Sequence, residues 1–178
     1  MTDPLAALLA DDALADLGTR PIGELRSFRY EAGQVEGDVS LVRRIAQGRL
    51  DIVGHEIQRR KADTAPGQMN DLLYDLPDIL ADPTEASGPS GRAVEINEPG
   101  PVAASLGSRL DAAISPGELS GVGELSDERV EQAFAKVSGM EQELSDLRRR
   151  LHDRIDAVQA EIGRRYRDGE ASIESFGR

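Results

Sequence analysis

Two stretches of the chain carry the same polar residues in the same order. Val35–Val53 reads VEGDVSLVRRIAQGRLDIV and Met140–Val158 reads MEQELSDLRRRLHDRIDAV. Laid over each other, Glu36 meets Glu141, Ser40 meets Ser145, Arg43 meets Arg148 and Asp51 meets Asp156, while Gln47 meets His152. Arg44 with Arg149, Arg49 with Arg154 and Val53 with Val158 also coincide. The shared pattern is Glu-x3-Ser-x2-Arg-x3-(Gln/His)-x3-Asp. Composition alone would return such a second copy in about one chain in a hundred. These residue types suit a nucleotide. Arginine grips the O6/N7 edge of guanine with two hydrogen bonds, or pairs with phosphate. A carboxylate accepts from guanine N1 and N2, and Ser and Gln satisfy phosphate oxygens or the remaining base edges.

The register says what must position them. Each stripe residue directly follows an apolar one: Val35, Val39, Val42, Ala46 and Leu50 in the first copy, and Met140, Leu144, Leu147, Leu151 and Ile155 in the second. Steps of three and four residues keep all five polar groups on one helix face, beside a packed seam. A solvated coiled-coil flank would explain one such copy. Two copies in one register favour a site. On antiparallel helices they are related by a pseudo-twofold axis, a symmetry that a cyclic dinucleotide with two guanines shares.

The rest of the chain supports an all-α fold: an antiparallel two-helix coiled-coil hairpin with short accessory helices and a flexible acidic connection. Residues 1–20 hold a short amphipathic segment, helical over 4–17 and broken at Gly18. A first long helix is predicted over 21–62, with Thr19 as N-cap and Pro21 in its first turn. Residues 63–126 carry nine of the twelve net negative charges and are rich in Pro and Gly. They read as a flexible connection, with short helices at 70–76 and 102–114. A second long helix follows over 127–168, with Ser126 as N-cap and Gly169 as terminator, and then a tail over 169–178. Gly33, Gly37, Gly48 and Gly54 each cost the first long helix roughly 0.8–1 kcal/mol relative to Ala, so its order must come from its partner helix or from binding.

Composition narrows the function. The chain has 178 residues, no cysteine, 3% aromatics and a net charge of −12. Disulfides and thiol chemistry are excluded, and nucleic acid is a poor partner for so acidic a chain. No apolar run approaches the roughly 18 residues that cross a bilayer. The first residues have no basic leader, so a cytoplasmic location is expected. Side-by-side pairing of the two motifs places His152 opposite Ser40, far from His55, so no shared metal is expected. Glu36 and Asp51 lie about 22 Å apart along one helix, too far for an acid–base pair. No catalytic residues are expected, and the chain reads as no enzyme. Arg60 reads as an exposed side chain with no role.

The doubled signature resembles that of RsiG, the actinobacterial anti-sigma factor family that binds cyclic di-GMP. The likeness covers about 19 residues of each long helix. It implies two cyclic di-GMP molecules per chain, bound as an intercalated dimer, that mediate capture of a WhiG-like flagellar-type sigma factor by a monomeric hairpin. The ligand-binding residues would be Glu36, Ser40, Arg43, Gln47 and Asp51 with Glu141, Ser145, Arg148, His152 and Asp156. His152 departs from the Gln pattern, keeping a donor while changing its reach. A ligand-free coiled-coil adaptor, or a cyclic di-GMP receptor with another partner, are the alternative readings. If only the hairpin holds the ligand, deleting residues 83–120 should spare nucleotide binding and slow the approach of a basic partner at low salt.

Overall fold

A computed structural model describes residues 4–62 and 99–170, which are helical with no β-strand. The elements are α1 (Pro4–Leu9), α2 (Ile22–Lys61), α3 (Pro101–Ala113), α4 (Pro116–Ser120), a 3-10 turn (Val122–Glu124) and α5 (Asp127–Arg167). The short helix expected over 70–76 lies outside the described residues, as does most of the C-terminal tail.

The long helices α2 and α5 run antiparallel. Along α2, Arg26, Arg43 and Arg60 bond in turn to Tyr166, Glu141 and Asp127, so partner numbers fall as α2 advances. The seam between them is apolar. Ala32, Val35, Val39, Val42, Ala46 and Val53 of α2 are buried with Val130, Ala133, Val137, Met140, Leu144, Leu151 and Val158 of α5. These positions recur at three- and four-residue spacing, which draws one stripe along each helix and gives each somewhere to bury it. Ser126 caps α5 by accepting from the Arg129 amide at 3.3 Å. Thr19 does not cap α2. Its hydroxyl donates back to the Asp16 carbonyl in a turn, and α2 starts behind Pro21 with no side-chain cap.

The amphipathic N-terminal segment is helical only to Leu9. Its end is held by Arg154, which donates to the Leu9 carbonyl at 3.0 Å. Turns follow, with Asp16 at a positive φ of 58° and Arg20 donating to the carbonyls of Ala13 and Ala15.

The part of the expected connection beyond residue 98 is docked, not free. Val102, Ala103, Leu106, Leu110, Ala113 and Ile114 are buried in the same core as the seam. α3 is also fixed at both ends by α2. The Asp38 carboxylate accepts from the amides of Gly100 (2.9 Å) and Ala103 (3.1 Å), filling the place of a side-chain N-cap from another helix. A Cβ at residue 100 would press on that carboxylate, so any other residue there requires Asp38 to shift. At the other end Arg49 donates to the Ile114 carbonyl at 2.7 Å and pairs with Asp111. The length of this apolar helix explains its docking: alternating Leu and Ala at helical spacing is a face that must be covered.

Arg60 is likewise not a spare surface residue. It pairs with Glu56 and Asp127 and donates to the carbonyls of Val122 and Leu125, tying the end of α2 to the start of α5.

Candidate ligand site

The seam has two flanks, and the accessory elements occupy only one. Asp38 and Arg49 on α2 hold α3, while Glu143 pairs with Arg109 of α3 and Arg154 holds α1. At 100° per residue these four lie on one side of the apolar stripes. The repeated polar residues lie on the other. There they face each other across the helix pair.

The contacts repeat with the sequence. Glu36 accepts from Ser40 one turn along its own helix (2.6 Å) and from Arg148 Nε of α5 (3.0 Å). Its counterpart Glu141 accepts from Ser145 (3.0 Å) and from Arg43 Nη1 of α2 (3.5 Å). Gln47 Nε2 adds a donor to Glu141 at 3.3 Å. His152 takes the corresponding place in the other half, with Nε2 3.2 Å from Glu36 Oε1. That approach is off the line of a hydrogen bond, so Nε2 makes a close contact and remains without a hydrogen-bond partner. Arg43 Nε is buried and unpartnered in the same way. Buried polar atoms of this kind are normally satisfied.

The register differs from side-by-side pairing by about one helical turn. His152 stands opposite Glu36 and not Ser40. Side-by-side pairing would have set Glu36 near Asp156 and Arg43 near Arg148 and Arg149. The stagger replaces those like-charge neighbours with opposite charges, which is the favourable arrangement at short range. Eight of the ten expected residues are thereby gathered into two equivalent clusters, one about each glutamate. Asp51 and Asp156 stand outside them, one turn beyond Gln47 and His152 and exposed.

Electrostatics follow the geometry. Burial works to raise the pKa of Glu36, but bonds from Ser40 and Arg148 and the nearby His152 outweigh it and hold the carboxyl below its usual range. Asp51 has no such partners, and partial burial pushes its carboxyl up. Because Glu36 is held low in the folded chain, its contribution is full above the ordinary carboxylate range and is lost as pH falls through the folded value. Thermal melts of the parent and Glu36→Gln should therefore converge as pH is lowered from 7 to 3. Parallel curves over that range would mean that the Glu36 cluster does not support the fold.

Glu36, Ser40, Arg148 and His152 also line an open cleft of about 1200 Å³, whose walls continue onto α2 and to Pro99–Val102. Among the described residues no His, Cys, Asp or Glu side chains group to hold a metal, and no helix is long and apolar enough to cross a membrane.

Sequence reasoning missed Asp38 and the tasks of Arg49 and Arg154. The signal was present: Arg49 and Arg154 coincide in the repeat but precede the seam residues Leu50 and Ile155, which puts them on the opposite flank from the stripe.

Comparison with known families gives a match to the RsiG-like family over residues 11–80 and 116–177. Those ranges include both long helices and both copies of the stripe. The chain belongs to the RsiG-like family, a family of anti-sigma factors that is regulatory and not enzymatic. Its partner class is therefore a sigma factor. No curated protein matches the chain.

Proposed function

We propose that the chain is a cyclic di-GMP-dependent anti-sigma factor, which sequesters a WhiG-like flagellar-type sigma factor in the cytoplasm and blocks its use in transcription. The observation that carries this reading is the pair of equivalent clusters about Glu36 and Glu141, each completed by the opposite helix. A ligand with twofold symmetry meets the same chemistry twice on such a surface. In each half the arginine supplies donors for the guanine O6/N7 edge or a phosphate, and the glutamate and the aspartate supply acceptors for N1 and N2. Arg43 Nε and His152 Nε2 are buried without a hydrogen-bond partner, and would become donors to a ligand if their side chains turned outward. The chain itself touches no DNA. It acts on the sigma factor.

Titration calorimetry of the full chain with cyclic di-GMP tests this. Two molecules should bind per chain, and light scattering should show a monomer, because one chain contributes both clusters. The sigma factor should then co-elute with the chain only in the presence of the nucleotide. No heat with cyclic di-GMP would return the chain to the ligand-free adaptor reading. Binding without capture would leave a receptor with a different partner.

A further inference from the structure

The repeat is faithful on the flank of the clusters and fails on the outward faces of the two helices. On α2, steps of three and four residues set Tyr30, Gly33, Gly37, Leu41, Ile45 and Gly48 on one face. The corresponding positions of α5 are Ala135, Ser138, Gln142, Asp146, Arg150 and Asp153. The α2 face carries aromatic and aliphatic side chains and glycine, with exposed Gln34 and Arg44 among them; on α5 three of the six positions are charged and none carries a large apolar side chain. Tyr30 is 69% exposed, Leu41 38% and Ile45 43%, and with Phe134 they are the exposed large apolar side chains of the described residues.

The glycines sharpen the contrast. A Cβ placed at residue 33, 37 or 48 would have no heavy atom within 4 Å. Nothing in the described chain requires the absence of a side chain there, although glycine weakens a helix interior. They leave bare backbone that another element can approach closely, three such positions on this face of α2 against Gly139 on α5. Exposed apolar side chains grouped on one face mark interaction surfaces in the same way.

Position identifies the occupant. The cleft lined by Glu36 and Ser40 continues around α2 to Tyr30, Gly33, Gly37 and Leu41. Whatever lies on this face therefore borders the ligand. A twofold ligand has no use for a difference between the outward faces, whereas a single asymmetric protein does.

We propose that the outward face of α2 is the docking surface for one amphipathic helix of the sigma factor, seated over the glycine backbone with its apolar side between Tyr30, Leu41 and Ile45, and touching the bound nucleotide at its edge. The proposal rests on the anti-sigma reading and adds the surface used. It also accounts for nucleotide dependence, because ligand and helix face form one continuous surface.

The test grafts the face of α5 onto α2 in the full chain, with Leu41→Asp and Ile45→Arg. Capture of the WhiG-like sigma factor is measured at saturating cyclic di-GMP, with ligand occupancy read by calorimetry in the same samples. Capture should fall about tenfold or more with the nucleotide still bound. The opposite change on α5, Asp146→Leu with Arg150→Ile, should leave capture within about twofold. Gly48→Ala should raise the melting temperature and weaken capture several-fold, a combination that a purely structural glycine would not give. Full capture by the Leu41→Asp, Ile45→Arg chain overturns the docking surface and leaves the anti-sigma reading standing. Loss of capture from the α5 changes alone overturns it as well. If the parent itself, saturated with cyclic di-GMP, captures no sigma factor, the reading and the docking surface fall together.

Discussion

Arg43→Ala and Arg148→Ala are each expected to bind cyclic di-GMP about 1–3 kcal/mol more weakly than the parent, the worth of a bidentate contact to guanine. In calorimetry that is roughly a tenfold loss per 1.4 kcal/mol. The two sites differ in setting. Arg43 is 20% exposed and Arg148 42% exposed, so the contact made by Arg43 is the better shielded from water and its loss should be the larger. Each substitution also removes the cation from a glutamate of the other helix, Glu141 or Glu36. A melt is therefore needed beside the titration, and the loss of affinity should exceed what any loss of fold accounts for. Arg150→Ala is the control, being exposed and outside both clusters. Arg60 cannot serve, since it closes one end of the helix pair. If Arg43→Ala, Arg148→Ala and the parent bind alike, the repeated stripe is not the ligand site.

Removing α3, residues 101–113, is expected to unfold the chain. The helix contributes Leu106 and Leu110 to the core, and Ile114 beside it is fully buried. Burying a side chain of that size is worth about 1.5–3 kcal/mol. With Val102, Ala103 and Ala113 the loss approaches the roughly 5–15 kcal/mol that holds a domain together. Arg49 would also lose Asp111, and Asp38 the amide of Ala103. Far-UV circular dichroism on heating reads the outcome: a shallow transition, or none, in place of a cooperative one. An equally stable shortened chain that still binds cyclic di-GMP would restore residues 101–113 to the status of a tether, as charge and proline content alone imply.

That reversal shows where the sequence was legible. The two long helices were, because each carries an apolar stripe at steps of three and four over some forty residues, and a pattern of that length overrides its interruptions by glycine. The eight stripe residues that face each other across the pair were legible because their register against the seam is periodic. What escaped was tertiary. Residues 99–126 have the glycines, prolines and negative charge of a linker, yet Leu106, Leu110 and Ile114 find a groove that only the assembled pair provides. The stagger of the pair was also hidden. Side-by-side alignment is the simplest match of two motifs, but the charges on Glu36, Arg43, Glu141 and Arg148 prefer to be offset by a turn. Asp38 gave no sign of its work, since capping a helix more than sixty residues away leaves no local pattern.

Both halves of the site reside in a single polypeptide. In a receptor made from two identical chains, one codon change alters the pocket in two places, and the halves can never differ. Here each half has its own codons. His152 can stand where the other half has Gln47, and α2 can carry leucine, isoleucine and bare glycine where α5 carries aspartate and arginine. On the proposed function, a pair of this kind would be free to keep one side of itself alike for a symmetric ligand and let the other drift toward an asymmetric target. Its two long helices also stay together at any dilution, so assembly of the pair does not depend on how many copies a cell contains.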